Sequence, residues 1–226
     1  MVCKRLAMIP ARMGSQRLKR KNLRELGGIP LIKRAIRKCK VSGVFDEIWV
    51  NSEHTEFGKI AQEEGVDFHL RSQELGSNSA TSEDFIYEFL KSHPCEYLFQ
   101  VHSIAPLLKA KQVREFVESM VSKNCDALIS YIPEQIECAF NGKPINFSFS
   151  EKTNSQGLQP VQKLTWCITG WKGYKFVSAY EQGQCATYSG KIEFYPIDHI
   201  AGFVIKTHED LLIAEFMFKV FEIESK

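Results

Sequence analysis

The feature that most constrains the fold is a regular alternation of short apolar segments with amphipathic segments between residues 5 and 132. Runs of apolar side chains predict strands, and apolar positions spaced by three or four residues predict helices. An alternation of this kind predicts an α/β fold in which helices cover both faces of a mostly parallel sheet. The predicted strands are 5–9, 46–51, 66–70, 96–101 and 126–132, and the predicted helices are 30–42, 56–64, 81–93 and 110–123.

The alternation ends after Tyr131. Residues 133–190 combine short β-like pieces with turn residues and many aromatic side chains, which predicts a β-rich insertion, a lobe or an arm that packs on a second subunit. Aromatic residues at 166–188 suit stacking on a sugar or a base, but their spacing favours the core of the insertion or a subunit interface. A last strand at 201–205 and a helix at 208–221 complete one domain of 226 residues.

A loop with a high density of positive charge follows the first predicted strand. Within residues 12–21 it carries Gly14, Ser15 and five cations, which are Arg12, Arg17, Lys19, Arg20 and Lys21. The carboxyl ends of the strands open the ligand crevice in folds of this class. Backbone N–H groups beside a glycine, together with side-chain cations, suit a polyphosphate. We therefore interpret the loop as a phosphate site rather than as a solvated basic turn.

The overall charge argues against several classes of partner. The 29 basic and 27 acidic residues give a net charge of +2, which does not indicate nucleic-acid binding. The sequence contains no apolar run near the roughly 20 residues that cross a bilayer and no signal-peptide core, so we expect no membrane partner. Seven dispersed cysteines without a CxxC pair indicate reduced thiols, a cytoplasmic location and no zinc site.

Residues 9–32, IPARMGSQRLKRKNLRELGGIPLI, resemble the cytidylyltransferases that activate acidic sugars. These are the CMP-N-acetylneuraminate synthetases and their relatives acting on other nonulosonates or on Kdo. The likeness continues at residues 41–52, 70–72, 79–82, 106–107 and 207–215. It implies a three-layer Rossmann-like nucleotidyltransferase fold and a homodimer in which residues 133–190 form the dimerisation arm.

The resemblance also implies a reaction, in which CTP and an acidic sugar give a CMP-sugar and pyrophosphate with Mg²⁺. It assigns catalytic roles to Lys21 and Arg12, and contact with the sugar to His102 and Ser103. Without it, Arg71 would be interpreted as an exposed arginine in a salt bridge. The nucleotide-binding residues that it implies are Ala11, Arg12, Gly14, Ser15, Lys21, Asn22, Arg71, Ala80 and Ser82.

The sequence departs from the family pattern at the expected metal ligands. Two aspartates commonly precede the last helix in these families, whereas this chain has Val204 and Lys206 there. A valine cannot bind Mg²⁺, which prefers carboxylate oxygens. Asp198 is the candidate ligand in their place, provided that the loop at 196–202 folds back. Glu53 retains a carboxylate where relatives have an aspartate, or else is a solvated acid in a turn.

These departures leave several alternatives. His102 is either a general base or a neutral histidine that forms hydrogen bonds within a loop. Mg²⁺ either binds to the protein or enters mainly on the triphosphate. The leading hypothesis is a cytidylyltransferase acting on a nonulosonate-like acidic sugar. A pseudoenzyme that serves as a binding or regulatory subunit, and an enzyme with another sugar or nucleotide, are the alternatives.

Overall fold

A mostly parallel seven-stranded sheet forms the centre of the molecule, in a computed structural model that describes the backbone of residues 3–224 and the side chains of residues 5–220. The strands are β1 (Cys3–Pro10), β2 (Glu25–Leu26), β3 (Ile29–Pro30), β4 (Glu47–Ser52), β5 (Asp67–Leu70), β6 (Cys95–Val101), β7 (Ala127–Glu134), β8 (Ala139–Phe140), β9 (Lys143–Pro144), β10 (Val161–Lys172) and β11 (Ile192–Pro196). The order in the main sheet is β11-β7-β10-β6-β1-β4-β5, and β10 alone among these seven runs antiparallel to its neighbours. The strands β2 and β3, and β8 and β9, form two small hairpins.

The described residues form six α-helices, and the local sequence explains one end of each of the first three. Gly43 and Gly65 end the first two with φ angles of 66° and 65°, a conformation that glycine adopts without strain. Thr81 and Asp84 form a capping box at the start of the third. No helix within the described range is long and apolar enough to cross a membrane. The helices are α1 (Leu31–Ser42), α2 (Thr55–Glu64), α3 (Ser82–Ser92), α4 (Ala110–Lys123), α5 (Gly173–Glu181) and α6 (His208–Glu224).

The helices form layers on both faces of the sheet, as the α/β pattern predicts. Buried side chains of α1, α2 and α4 pack on one face around Phe99 and Leu128. Side chains of α3 and α5 pack on the other face around Leu98 and Trp171. The three-layer Rossmann-like architecture is therefore confirmed, and the carboxyl ends of β1, β4, β5 and β6 meet at one edge.

The second half of the chain differs from the sequence-based expectation in its details. Within residues 133–190, short β pieces occur at β8 and β9, but residues 161–172 form a twelve-residue strand inside the main sheet. Residues 201–205 form no strand. Their backbone is satisfied by a turn, in which Gly202 donates to the carbonyl of Asp198, and by a bond from Ile205 to Ile104. The last strand is instead β11, which pairs with β7 in parallel.

A third, smaller apolar cluster connects α6 to the basic loop. Leu18 of that loop is buried against Ile205 and Leu211, together with Leu26 of the β2–β3 hairpin. The two-residue turn of this hairpin is Gly27-Gly28, with φ angles of 55° and 70°, as a tight hairpin turn requires. Because these segments pack together, the position of α6 constrains the position of the basic loop.

Candidate active site

A cavity of about 260 Å³ lies at the carboxyl ends of the parallel strands. Ala11, directly after β1, donates its N–H to the carbonyl of Asn51 in β4 at 2.9 Å. Arg71, directly after β5, donates its N–H to the carbonyl of Ser52 at 3.1 Å. The backbone hydrogen bonds between neighbouring strands therefore continue into the segments that form the walls of the cavity. Its lining consists of Pro10, Ala11, Arg12, Ser15, Gln16, Arg17, Leu18, Lys21, Asn22, Arg71, Phe85, His102 and Ile104.

A buried ion pair between Arg71 and Glu53 organises one wall. Arg71 is 4% exposed, and its Nη2 lies 2.9 Å from Oε2 of Glu53. The same guanidinium donates to Oδ1 of Asn51 and to the carbonyl of Ala11, both at 3.0 Å. The other carboxylate oxygen of Glu53 accepts the N–H of Met13 at 2.8 Å. Glu53 thus ties the basic loop to β5, and the interpretation of Arg71 as an exposed arginine is wrong.

Arg71 also retains one donor without a partner. Its Nε is buried and has no hydrogen-bond acceptor among the described residues. Burial lowers the pKa of the guanidinium, and the charge of Glu53 opposes that effect. The guanidinium carbon lies 4.7 Å from the centre of the Phe85 ring, which also lines the cavity. Arg71 and Phe85 therefore present a cation and an aromatic surface side by side in the cavity lining.

Asn22 fixes the far side of the basic loop. Its side chain is 5% exposed and donates through Nδ2 to the carbonyl of Arg12 at 3.1 Å. Its Oδ1 accepts the hydroxyl of Ser103 at 2.7 Å. Ser103 is buried and does not line the cavity, so it supports Asn22 rather than reaching the interior.

Positive charge is concentrated in the lining. Arg12, Arg17, Lys21 and Arg71 all border the cavity, and none of the described lining residues is Asp or Glu. Burial, followed by the charges of Arg17 and Arg12, lowers the pKa of the Lys21 ammonium. Cations that repel one another in this way are stabilised when an anion enters between them. The arrangement suits a ligand with several phosphate groups.

His102 contributes a neutral ring to the cavity. Burial, and the nearby charge of Lys21, lower its pKa to about 4. At neutral pH the ring therefore carries no charge, which favours the interpretation as a neutral histidine. The backbone N–H of His102 donates to the carbonyl of Cys167 in β10 at 3.1 Å. The buried ammonium of Lys38 donates to the carbonyl of Ala105 at 2.6 Å and holds the same loop.

The structure does not bring every predicted site residue to the cavity. Gly14 belongs to the basic loop without lining the cavity, and a Cβ atom there would meet nothing within 4 Å. Ala80 and Ser82 lie just before and at the start of α3, and only the later Phe85 reaches the lining. Asp198 is also absent from the lining. Its oxygens accept the N–H groups of residues 200 and 201 and the side-chain amide of Gln112 on α4.

The described residues do not fit a protein-bound Mg²⁺ ion, which the resemblance implies. A Mg²⁺ ion at a nucleotide site is usually held by one or two carboxylates together with waters and substrate phosphates, and the described lining of the cavity contains no carboxylate. Within residues 5–220, no three Asp, Glu, His or Cys side chains are grouped so that they could hold a metal. Asp210 is near enough for its charge to act on Lys21, but its Oδ2 accepts the N–H groups of Lys206 and Thr207 at the start of α6.

Sequence reasoning missed two contributors and left the role of Glu53 open between a carboxylate retained from the family pattern and a solvated acid in a turn. Glu53 is 7% exposed, so the second interpretation is wrong, and nothing local in the sequence shows that this turn is buried. Phe85 stands among ordinary apolar positions of α3, so its place in the lining depends on how the helix docks. Asn51 ends β4, where a polar residue at the carboxyl end of a parallel strand is a signal for a ligand or for a residue that supports one.

Comparisons with known proteins agree with this geometry. The cytidylyltransferase family profile matches residues 6–166. N-acylneuraminate cytidylyltransferase A of Danio rerio is 35% identical over 127 residues, which cover 56% of this chain and 30% of that protein. The N-acylneuraminate cytidylyltransferase of Streptococcus agalactiae serotype III (strain NEM316) is 32% identical over 131 residues, which cover 57% of this chain and 32% of that protein. The match thus spans about a third of the length of these curated relatives.

Other matches cover nearly the whole chain at lower identity. Post-translational flagellin modification protein B of Campylobacter coli is 23% identical over 234 aligned residues, which cover 98% of this chain and 97% of that protein. A CMP:2-keto-3-deoxy-manno-octonic acid synthetase structure in complex with CTP superposes with a TM-score of 0.74 at 15% identity, covering 96% and 98%. That likeness shows the fold alone. Since the family profile spans well over half of the 226 residues, the chain belongs to the cytidylyltransferase family.

Proposed function

We propose that this chain transfers CMP from CTP to an acidic, nonulosonate-like sugar and releases pyrophosphate. The observation that carries the proposal is the cavity itself, where four cations and one aromatic ring line the carboxyl edge of the sheet. Family membership and the names of the acylneuraminate relatives support the nucleotide and the class of sugar. The comparisons give no support to a pseudoenzyme.

The Arg71 wall is the proposed base end of the site. A pyrimidine needs an apolar surface for its ring and a donor for its O2 atom. Phe85 supplies the surface, and the guanidinium of Arg71, which lines the same cavity, supplies the donor. Because Glu53 and Asn51 already hold the two Nη atoms, the orientation of this guanidinium is fixed before the ligand arrives.

Arg12 and Lys21 form the proposed phosphate end. In the reaction, a sugar hydroxyl oxygen attacks the α-phosphorus of CTP, and the bond from that phosphorus to the bridging oxygen of the β-phosphate breaks. Pyrophosphate leaves with the electron pair, and the two cations neutralise the charge that develops on it. The hydroxyl proton passes to solvent, since a His102 ring with a pKa of about 4 is a weak base at neutral pH. No step requires an ion held by the protein.

His102 forms the proposed sugar end, together with Ile104 beyond β6. A neutral ring in this position can donate to or accept from a sugar hydroxyl. We also propose a cytoplasmic location. Five of the described cysteines are free thiols, as expected in a reducing compartment, namely Cys39, Cys125, Cys138, Cys167 and Cys185.

The test is pyrophosphate release from CTP, UTP, ATP and GTP, each with N-acetylneuraminate and with a panel of other acidic sugars. We expect release with CTP and at least one acidic sugar. Phe85→Leu keeps apolar bulk but loses the ring, so it should weaken CTP binding about tenfold, while Phe216→Leu on the exposed face of α6 should not. CTP binding without turnover on any acidic sugar would contradict the proposed reaction.

A further inference from the structure

The cavity combines many positive charges with a lack of carboxylates in its lining. A nucleoside triphosphate carries about four negative charges, which cations must neutralise. Arg12, Arg17 and Lys21 border the cavity beside Arg71, and no acidic residue is found among the described lining. A resident divalent ion would find no carboxylate among these lining residues and would be repelled by these cations.

Lys206 adds a further positive charge near the cavity, although it is not one of the residues that line it. The residue before it, Ile205, donates its N–H to the carbonyl of Ile104 at 2.8 Å, and Ile104 lines the cavity. The N–H of Lys206 itself donates to Oδ2 of Asp210 at 2.8 Å. The backbone of Lys206 is therefore anchored on both sides, whereas its side chain is exposed.

The ammonium of Lys206 acts on the phosphate end of the cavity. Its charge is among those that lower the pKa of Lys21, after burial and the charges of Arg17 and Arg12. The charge of Asp210 raises the pKa of Lys21, but the carboxylate of Asp210 already caps the start of α6. The net field at Lys21 is thus positive and favours an incoming anion.

We propose that Lys206, together with Lys21 and Arg17, neutralises the triphosphate in place of a metal ion held by the protein. Lys206 is then a nucleotide-binding residue, and the chain binds free CTP without a divalent cation. This inference rests on the proposed function, because it assumes that a nucleoside triphosphate is the ligand.

The experiment is calorimetric titration of the full chain with CTP, once in excess EDTA and once with Mg²⁺. We expect the two dissociation constants of the unaltered protein to agree within about threefold. Lys206→Ala should weaken binding in EDTA about tenfold, the usual effect of losing a charge-assisted contact. Lys111→Ala, which removes an exposed lysine on α4, is the matched control and should leave both constants unchanged.

Two more variants distinguish a lysine from a metal ligand. Lys206→Asp places a carboxylate at the same position and should make CTP binding depend on Mg²⁺. Asp210→Asn keeps an oxygen to cap α6 and should not change the response to Mg²⁺. The inference would be overturned if the unaltered protein required Mg²⁺ to bind CTP and if Asp210→Asn lost this Mg²⁺-dependent binding. That result would show a metal site at Asp210.

The remaining outcomes also separate the two proposals. If CTP binds only with Mg²⁺, and Lys206→Ala binds as tightly as the unaltered protein, the inference is wrong while the proposed function stands. If the protein binds CTP in neither buffer, the proposed function fails and the inference fails with it. Circular dichroism of each variant establishes that any loss of binding does not come from unfolding.

Discussion

Glu53→Ala tests whether the buried ion pair holds the site together. Glu53 is 7% exposed and accepts from both Arg71, at 2.9 Å, and the N–H of Met13, at 2.8 Å. Removing one partner of a buried ion pair costs about 3–5 kcal/mol, because the remaining charge is left uncompensated. Arg71 keeps Asn51 and the carbonyl of Ala11 as acceptors. The expected decrease in the free energy of unfolding is therefore near the lower bound, at about 3 kcal/mol.

The assay is urea-induced unfolding of the full chain at pH 7, followed by circular dichroism. Glu56→Ala is the matched control, since it removes a glutamate whose ion pair with Arg20 is 2.6 Å long but exposed. Exposed pairs contribute only about 0–1 kcal/mol, so this control should unfold almost like the parent. If Glu53→Ala and Glu56→Ala destabilise the protein equally and by less than about 1 kcal/mol, the structural role of Glu53 is refuted.

The same variant should also affect the ligand. Without Glu53, the N–H of Met13 loses its acceptor, and the guanidinium of Arg71 loses one of the acceptors that fix its orientation. CTP binding should therefore weaken even under conditions where the variant remains folded. A double variant with Arg71→Met should regain stability relative to Glu53→Ala, because the uncompensated charge is gone. Binding, however, should not recover.

Four further predictions concern other parts of the molecule. His102 binds a proton less readily when folded, with a pKa of about 4, than when unfolded, with a pKa of about 6.5. Its contribution to stability is therefore present above pH 6.5 and lost as the pH falls toward 4. Between pH 6.5 and pH 4, the free energy of unfolding should fall by about 3 kcal/mol less in His102→Gln than in the unaltered protein. Identical pH profiles would contradict this. Lys21→Ala should cost about 2–4 kcal/mol of transition-state stabilisation, measured as kcat/KM, and unchanged turnover would exclude the assigned role. Asp198→Asn should leave the response to Mg²⁺ unaltered while destabilising the turn by about 1 kcal/mol in urea. If residues 133–190 form a dimerisation arm, the protein should be a dimer by light scattering at micromolar concentration. A monomer would count against the role of these residues as a dimerisation arm.

The sequence predicted structural elements well where the signal lies in adjacent residues, as at the ends of helices. Gly65 ends α2 with a positive φ, and Thr81 caps α3, as turn and capping chemistry indicate. The position of the basic loop after β1 follows from the same reasoning, because strand ends open the crevice. These features depend on neighbouring residues in sequence.

Features that depend on distant residues could not be predicted in this way. The burial of Glu53 depends on Arg71 and on the docking of the basic loop. The residues at 201–205 are as apolar as a strand, but Ala201 and Ile205 are buried against other segments and no strand pairs with them. The resemblance singled out Arg71, which lines the cavity, and did not single out Phe85, whose place depends on the packing of α3.

The position of β10 in the sheet has a consequence for how the chain is made. It lies between β6 and β7 and bonds to both, although those two strands precede it in sequence. A nascent chain that ends before residue 161 therefore leaves one edge of β6 and both edges of β7 unpaired, and such edges are templates for pairing with other chains. Folding must wait for these distant segments to meet, which slows it. The edge of β6 and one edge of β7 become paired only after β10 has been synthesised, and the other edge of β7 only after β11.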